Sequence, residues 1–205
     1  MTGSLHVPVP AVVIAGPLFR GARFFMPVLF LSTVILVGPA WCSHLCYIGA
    51  WDGLAANAKK FAGEIPKKLV WLRTGVFIAT PALALILRAS GVPGMTAAYI
   101  AIGFGVVSLA SMAVFSRRTG SMVHCTSICP LGLLGNIIGR ISPFRIKVGS
   151  ACTDCGRCIS SCRYNALSVE NIKRRRPGLT CTLCGDCLSS CKAGTLTYGF
   201  LLIRS

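Results

Sequence analysis

The sequence predicts an α-helical membrane domain of three or four transmembrane helices, followed by a small α+β domain that is rich in cysteine. Three observations support this prediction. The chain has 205 residues, 54% of them hydrophobic, and its mean hydropathy is +0.70. Long uncharged runs occupy its first part, and eight of its twelve cysteines lie after residue 151. We therefore expect a membrane domain over residues 1–148 and a cysteine-rich domain over residues 149–205.

Three stretches are long and apolar enough to cross a bilayer as helices. The first is Phe24–Ser43, with twenty uncharged residues. The second is Leu69–Leu87, whose one charged residue, Arg73, lies near its end and is expected to snorkel to the lipid head groups. The third lies at about Met95–Phe115, after a turn at Ser90–Gly94.

The N-terminal stretch Val7–Phe19 is also apolar, but it has only thirteen residues and contains three prolines. It fits an interfacial or re-entrant segment as well as a strained fourth span. The sequence leaves both alternatives open.

Positive charge is distributed unevenly between the two ends of the predicted spans. One end has Lys59, Lys60, Lys67, Lys68, Arg117 and Arg118. The opposite end has Arg20, Arg23 and Arg88. Because loops rich in lysine and arginine stay in the cytoplasm, we expect the first of these ends to be cytoplasmic. The cysteine-rich domain follows the third span and should lie on the same side.

The cysteines after residue 151 repeat one spacing, CxxCxxCxxxC. The two copies are Cys152, Cys155, Cys158, Cys162 and Cys181, Cys184, Cys187, Cys191. This spacing is typical of chains that hold two [4Fe-4S] clusters, in which the fourth cysteine of each copy ligates the other cluster. We therefore predict one cluster on Cys152, Cys155, Cys158 and Cys191, and a second on Cys162, Cys181, Cys184 and Cys187. Zinc sites usually lack the interlocking fourth cysteine, and disulfide frameworks belong to secreted domains.

This part of the chain resembles the compact two-cluster ferredoxin fold, and the resemblance implies a short strand after each copy, at Ala166–Glu170 and at Thr195–Tyr198. Gly156 and Gly185 follow the second cysteine of each copy, where the backbone must bend close to the cluster. Clusters of this kind transfer one electron at a time. We therefore predict no catalytic acid, base or nucleophile, and an electron-transfer subunit rather than an enzyme in its own right.

The remaining four cysteines form a second repeat near the cytoplasmic ends of the first and third predicted spans. The segments WCSHLCYIGA, from Trp41, and HCTSICPLG, from His124, each contain CxxxC: Cys42 with Cys46, and Cys125 with Cys129. If each motif is helical, its two sulfurs lie one turn apart on one face, and the two pairs could ligate a third centre. Iron-sulfur clusters, copper(I) and zinc all accept thiolates, and buried thiols can also pack as small hydrophobic residues.

Together the motifs resemble those of the bacterial membrane-bound polyferredoxins. This family includes the quinol-dehydrogenase membrane subunit of periplasmic nitrate reductase, nitrous-oxide-reductase maturation and electron-donor proteins, and accessory proteins of cbb-type cytochrome oxidase. The chain departs from the family pattern at three positions where proline is usual, which are occupied by Tyr47, Arg163 and Lys192. None of these departures removes a ligand.

The resemblance implies a multi-pass protein of the bacterial cytoplasmic membrane. It would relay electrons between a quinol or another membrane redox partner and other redox subunits or cytochromes of a respiratory complex. The alternative that it implies is an assembly factor that reduces a metal such as copper, with the four CxxxC cysteines as the landing site. His44 and His124 adjoin the CxxxC motifs and could contact a quinone or ligate a metal, although a lone interfacial histidine is more often a polar anchor.

The composition argues against two other classes of protein. A net charge of +16 invites a nucleic-acid partner, but the basic residues have no aromatic stacking platform among them and many flank hydrophobic runs. Asp52 and Glu64 are the only acids before residue 149, and both lie outside the predicted spans. This disfavours a proton pump or an ion-coupled transporter. We expect a membrane, and no nucleic acid, as a partner.

Overall fold

The computed structural model describes residues 10–21 and 24–200. Most of these residues are helical, and a small two-stranded sheet belongs to the cysteine-rich part of the chain. Residues 7–9 of the predicted N-terminal stretch, and Arg23 of the charge pattern, lie outside the described residues.

Helices and short helical turns make up the first part of the chain. In chain order the helices are α1 (Pro10–Arg20), α2 (Phe25–Val37), α3 (Trp41–His44), α4 (Tyr47–Ala56), α5 (Lys67–Ala89), α6 (Gly94–Ser111), α7 (Arg117–Thr119), α8 (Val123–Ser127) and α9 (Pro130–Ile138). A 3-10 turn at Gly38–Ala40 joins α2 to α3, and a π-helical turn at Met112–Ser116 joins α6 to α7. The first break follows from Gly38, with φ 68°, and from Pro39, which has no amide hydrogen.

Three segments are long and apolar enough to cross a membrane, judged by length and composition. They are Phe25–Ala56, Trp71–Ala89 and Gly94–Thr119, and they overlap the three stretches that the sequence predicts as spans. Large apolar side chains on these segments are exposed, including Leu36 and Val107. Exposed apolar surface of this kind is typical of a face that contacts lipid or a partner.

The N-terminal stretch forms α1, which is 11 residues long. At 1.5 Å per residue α1 extends about 16 Å, roughly half of the hydrocarbon core of a bilayer. It packs on α5 and α9, and Arg88 at the end of α5 donates a hydrogen bond from Nη1 to the Leu18 carbonyl at 3.2 Å. The ends of α1 and α5 therefore meet. The turn between α5 and α6 lies at the predicted Ser90–Gly94, with Gly91 at φ 64°.

The helix that follows each CxxxC motif packs on the part of the bundle that contains the other motif. α4 follows the first motif and contacts α7, α8 and the π-helical turn at Met112–Ser116. α9 follows the second motif and contacts α2 and the 3-10 turn at Gly38–Ala40. These two sets of contacts bring the two motifs together in the middle of the structure.

The cysteine-rich part consists of β1 (Phe144–Val148), α10 (Arg157–Ser161), α11 (Val169–Lys173), α12 (Asp186–Ser189) and β2 (Leu196–Phe200). β1 and β2 pair antiparallel, with Phe144 opposite Phe200 and Val148 opposite Leu196. The sheet and the cysteine loops enclose a small apolar core that includes Ile146, Leu167 and Leu183.

One of the two predicted strands is wrong. The strand at Thr195–Tyr198 corresponds to β2, but the one at Ala166–Glu170 does not form, and α11 begins within it. The reason is a helix cap: the Ser168 side chain accepts a hydrogen bond from the Asn171 amide at 3.2 Å. The partner of β2 is instead β1, which lies before the predicted domain boundary at residue 148, so the tail is paired with the chain segment that precedes it.

Candidate metal centres

The two CxxxC motifs do not form continuous helices. In the first motif α3 ends at His44, and Cys46 is extended, with φ −82° and ψ 117°. In the second motif Cys129 is extended in nearly the same way, with φ −69° and ψ 116°. The expectation that both sulfurs of a motif lie on one helical face is therefore wrong. The first cysteine lies on a short helix, and the second precedes the first turn of the next helix.

The same hydrogen bonds produce the break in both motifs. The amides of Leu45 and Cys46 both donate to the Trp41 carbonyl, each at 3.0 Å. The amides of Ile128 and Cys129 both donate to the His124 carbonyl, each at 2.9 Å. In each case one carbonyl accepts hydrogen bonds from two amides, whereas a carbonyl in a continuous α-helix accepts one. The α-helix therefore ends there. The repeat in the sequence is thus a repeat in the backbone.

Glycine is required three residues after the second cysteine of each motif. A Cβ on Gly132 would lie 2.9 Å from the Cys125 carbonyl oxygen, and a Cβ on Gly49 would overlap the Cys42 carbonyl oxygen. The peptide of the first cysteine therefore packs directly on the first turn of α4 or α9. This close approach explains why both motifs have glycine at that position.

All four CxxxC cysteines line one cavity, whose walls also include Trp41, Tyr164 and Thr182. Cys42 and Cys129 are buried, and Cys46 and Cys125 are partly exposed. Burial raises the pKa of the Cys129 thiol to about 11, and burial also raises the pKa of the Cys125 thiol well above its ordinary value. Without a ligand these two thiols are therefore neutral at physiological pH, and a bound metal would displace their protons.

The thiols surround the cavity rather than meeting at a point. Among the residues that the structure describes, no group of three or more Cys, His, Asp or Glu side chains is placed to hold a single metal ion. A four-iron core is broader than a single ion, so its thiolates stand further apart than the ligands of one ion.

A buried carboxylate fixes the second motif. Asp52 on α4 is fully buried, and its Oδ1 accepts a hydrogen bond from Ser116 Oγ at 2.6 Å. Its Oδ2 accepts a hydrogen bond from the Cys125 amide at 2.9 Å, and Ser116 Oγ in turn accepts one from the Val123 amide at 3.1 Å. Asp52 therefore caps the start of α8, and it ties the helix after the first motif to the cysteine of the second.

Arg73 does not snorkel. It lies on α5 and is 1% exposed. Its Nη1 donates a long hydrogen bond of 3.4 Å to the Thr126 carbonyl, whereas its Nε and Nη2 have no partner among the described residues. Its guanidinium interacts electrostatically with Cys42, Cys125 and Cys129. The packing of α5 on α8 and α9 directs the side chain inward to the cysteines, which is why the prediction was wrong.

The two histidines next to the motifs differ from each other. His44 is exposed, whereas His124 is 1% exposed and its Nδ1 has no partner among the described residues. Burial lowers the pKa of His124 to about 4, so its ring is neutral at physiological pH. Neither histidine lines the four-cysteine cavity. The alternative that His124 is an interfacial anchor is wrong, because the ring is enclosed in the bundle.

The two cysteine loops of the tail have matching backbones. Residues at equivalent positions of the two copies share left-handed φ values: Asp154 (50°) with Leu183 (57°), Gly156 (73°) with Gly185 (91°), and Asn165 (50°) with Gly194 (61°). The bend predicted at Gly156 and Gly185 is therefore present. A short helix, α10 or α12, starts directly after each of these glycines.

The structure gathers the tail cysteines into two neighbourhoods. Cys158 interacts electrostatically with Cys152, Cys155 and Cys191. The cysteines that line a second cavity are Cys162, Cys181, Cys184 and Cys187. Burial raises the pKa of Cys181 to about 11 and the pKa values of Cys184 and Cys187 to about 12, whereas the Thr195 side chain lowers the pKa of the partly exposed Cys191.

Tyr164 and Thr182 line both cavities. Tyr164 is 4% exposed and packs with Ala56 and Met122, and Cys125 and Cys184 pack against this cluster. The four-cysteine cavity of the bundle and the second cavity of the tail are therefore neighbours that share a wall.

Arg163 joins the tail to the bundle. Its Nη1 donates hydrogen bonds to the carbonyls of Ala56 at 2.6 Å and Gly120 at 3.2 Å. Its own carbonyl accepts a hydrogen bond from the Met122 amide at 2.9 Å. Arg163 thus has a structural role at a position where the polyferredoxins, which the sequence resembles, usually have proline. Lys192, at the equivalent position of the second copy, is exposed.

Comparison with known proteins bears on which cofactor these sites bind. A family model described as "4Fe-4S binding domain" matches residues 11–64 and 99–149, about half of the chain. The chain belongs to this family. The two matched segments contain the two CxxxC motifs and end before Cys152. Iron-sulfur is therefore the cofactor class of this member of the 4Fe-4S binding family.

One curated relative is the "Putative electron transport protein YccM" of Escherichia coli (strain K12). It is 27% identical over 207 residues, which cover 89% of this chain and 57% of the relative. The chain thus spans little more than half the length of that protein. No solved structure matches the chain.

The sequence reasoning missed the roles of Asp52, Arg73 and Tyr164. For Arg73 the signal was present, because a single ionisable residue inside an apolar span usually faces a partner in the protein interior. Asp52 gave a weaker signal as one of only two acids before residue 149. Nothing in the local sequence marks Tyr164, since its place depends on how the tail docks on the bundle.

Proposed function

We propose that this chain is a membrane-anchored electron-transfer protein of the polyferredoxin type with three [4Fe-4S] clusters. The observation that carries the proposal is the cavity lined by all four CxxxC cysteines. These cysteines lie in the two segments that match a 4Fe-4S binding family. The name of the E. coli relative supports electron transport as the activity.

The third cluster is assigned to Cys42, Cys46, Cys125 and Cys129. The tail clusters keep the ligand sets predicted from the sequence, Cys152, Cys155, Cys158 and Cys191 for one, and Cys162, Cys181, Cys184 and Cys187 for the other. A bound [4Fe-4S] cluster supplies a site that takes up and releases one electron at a time. The residues around the third site fit such a group, because they combine four sulfur donors with the buried guanidinium of Arg73.

The shared wall of the two cavities supports a linear order of sites. Tyr164 and Thr182 separate the CxxxC site from the site at Cys162, Cys181, Cys184 and Cys187. The exposed Cys155 belongs to the remaining site of the tail. We infer that electrons pass between the bundle and the protein surface in the order CxxxC site, second tail site, first tail site, in either direction.

The membrane setting is part of the proposal. The three apolar segments would lie in the bacterial cytoplasmic membrane, with a quinol or another membrane redox partner as one reactant and other redox subunits or cytochromes as the other. The tail contacts the bundle at the lysine-rich end of the spans, since Asn165 Nδ2 donates a hydrogen bond to the Gly63 carbonyl at 3.0 Å. The distribution of positive charge supports a cytoplasmic location for that end.

Iron analysis of the purified chain, reconstituted without air, tests the cluster number. We expect about twelve irons per chain, four for each cluster. Cys42→Ser combined with Cys129→Ser should remove about four irons and one EPR signal. The matched control, Cys158→Ser with Cys187→Ser, replaces one ligand in each tail set and should spare the CxxxC signal.

The same double variant separates this proposal from the metal-reducing assembly factor. If the four CxxxC cysteines carry copper and contribute no iron, substituting Cys42 and Cys129 abolishes copper binding and leaves about eight irons in place. That result would favour the assembly factor. An unchanged iron content with no copper bound would leave the four thiols without a metal and would end the three-cluster proposal.

A further inference from the structure

Arg73 is a buried cation for which the described residues provide no carboxylate partner. Its side chain is enclosed, and two of its three nitrogens, Nε and Nη2, have no partner among the described residues. A buried charge without a counter-ion costs several kcal/mol. A residue in this position is therefore expected to have an anion close to it in the functional protein.

No carboxylate in residues 10–21 or 24–200 supplies that anion. The chain has five acidic residues, and the one ion pair between described residues joins Arg174 to Glu170 at the surface. Asp52 is the buried acid closest in sequence, and both of its oxygens are engaged by Ser116 and Cys125.

The CxxxC cysteines lie close to Arg73 and become anionic thiolates when they bind a cluster. The guanidinium interacts electrostatically with Cys42, Cys125 and Cys129, which belong to both motifs. Nη2 lies beside Gly132, 3.3 Å from the place where a Cβ would be. Gly132 therefore admits the guanidinium to the first turn of α9, next to Cys129. A [4Fe-4S] core in its oxidised form with four thiolates carries a charge of about −2, which exceeds the charge of one arginine.

We propose that Arg73 is the counter-ion of the cluster held by Cys42, Cys46, Cys125 and Cys129, and that it raises the reduction potential of that cluster. The proposal rests on the assignment of a [4Fe-4S] cluster to these cysteines. Reduction by one electron changes the charge of the site from about −2 to about −3. A fixed positive charge in a buried, weakly polarisable environment stabilises the reduced form more than the oxidised form.

The test is a potentiometric titration with dithionite as the reductant, followed by EPR of the signal that disappears in the Cys42→Ser, Cys129→Ser variant. Arg73→Met should lower the midpoint potential of this signal by about 59 mV or more, the shift that corresponds to a tenfold weaker equilibrium for reduction. Arg73→Lys keeps the charge and should retain most of the wild-type potential. The potentials of the two tail clusters should not change in either variant.

Arg88→Met is the matched control. It removes the same charge from the same helix, fifteen positions away and at an exposed site, about 22 Å along the helix axis. We expect no shift of the CxxxC signal in this variant. An equal shift in Arg88→Met and Arg73→Met would show a general effect of net charge and would overturn the proposal.

The variants also distinguish a tuning role from loss of fold. If Arg73→Met lacks the CxxxC signal altogether, Arg73→Lys decides: a retained signal supports the requirement for a charge, and a lost signal shows that the shape of arginine matters instead and overturns the proposal. An unchanged potential in Arg73→Met with full iron content also overturns it. If the wild-type chain binds only about eight irons, the cluster assignment itself fails, and the role of Arg73 falls with it.

Discussion

The four-cysteine cavity of the bundle and the cysteine loops of the tail contrast in how they hold their thiols. Cys42 and Cys129 are buried between helices from both halves of the bundle, whereas Cys155 of the tail is exposed. The CxxxC cysteines are positioned by helix starts and by a buried carboxylate. The tail cysteines are positioned by loops with left-handed residues such as Gly156 and Gly185. Cysteine thiols are thus brought together by tertiary packing in the bundle and by local backbone conformation in the tail.

The difference has an electrostatic consequence. Water and surface charges surround an exposed cluster site, so no single residue dominates its field. In the bundle, burial leaves Arg73 as a close cation at the CxxxC thiols, and the local dielectric is low. We therefore expect substitutions in the bundle to act on one centre with large effects, and substitutions in the tail to act locally and weakly.

The largest effect is expected from Asp52→Leu. It leaves the Ser116 hydroxyl and the Cys125 amide without their acceptor, which costs about 3 kcal/mol. The CxxxC signal should be lost while both tail clusters remain, as measured by EPR and by iron content. Glu64→Gln, at an exposed acid, is the control and should keep all signals. Retention of the CxxxC signal in Asp52→Leu would show that the carboxylate does not position the second motif.

Arg163→Ala tests the connection between the two regions. It removes charge-assisted hydrogen bonds to the Ala56 and Gly120 carbonyls, a loss of about 2 kcal/mol. Hydrogen exchange should increase where the tail meets the bundle, at Met122 and Asn165. Lys192→Ala alters the equivalent but exposed residue of the second copy and should leave exchange unchanged. Equal exchange in both variants would mean that Arg163 does not join the regions.

Gly49→Ala and Gly132→Ala compare the two motifs with each other. The new methyl groups would meet the Cys42 and Cys125 carbonyls, more closely at Gly49 than at Gly132. We expect a loss of about 2 kcal/mol in the free energy of unfolding for Gly49→Ala and a smaller loss for Gly132→Ala. Gly103→Ala on α6 has open space around it and should be neutral or slightly stabilising. Denaturant titration in detergent gives the ranking, and a reversed order would contradict the described packing.

The smallest effect concerns the rates at which clusters are lost. Because Cys155 is exposed and Cys42 and Cys129 are buried, an iron chelator should remove the first tail cluster several-fold faster than the CxxxC cluster. EPR at successive times after addition of the chelator measures both rates. Faster loss of the CxxxC signal would mean that the bundle opens more readily than its burial indicates.

The sequence predicted those parts of the structure that depend on local pattern. The three apolar segments, the turn with Gly91 and the bends at Gly156 and Gly185 follow from hydropathy and from the special backbone freedom of glycine. The strand predicted at Ala166–Glu170 does not form, because the capping residue Ser168 favours a helix in a segment with strand-like composition. The local sequence alone does not show whether the helix cap or the strand-like composition prevails, because tertiary contacts decide between them.

The sequence named the candidate ligands of each site but not the residues that surround them. Spacing alone singled out all twelve cysteines, because ligand spacing is a property of the chain. The break within each CxxxC motif, the inward turn of Arg73 and the wall formed by Tyr164 depend on which helices pack together. Those contacts join residues far apart in sequence, so no local pattern reports them.

α4 and α9 each pack beside the CxxxC motif that they do not follow in sequence. This arrangement has a consequence for biosynthesis. The first CxxxC motif leaves the ribosome long before the second, with α5 and α6 between them, and neither half alone presents four thiols. A group that binds all four cysteines therefore closes a long loop of chain and adds its binding energy to the folding of the whole bundle. Cluster insertion would then be completed only in chains in which both CxxxC motifs have been synthesised and have packed together.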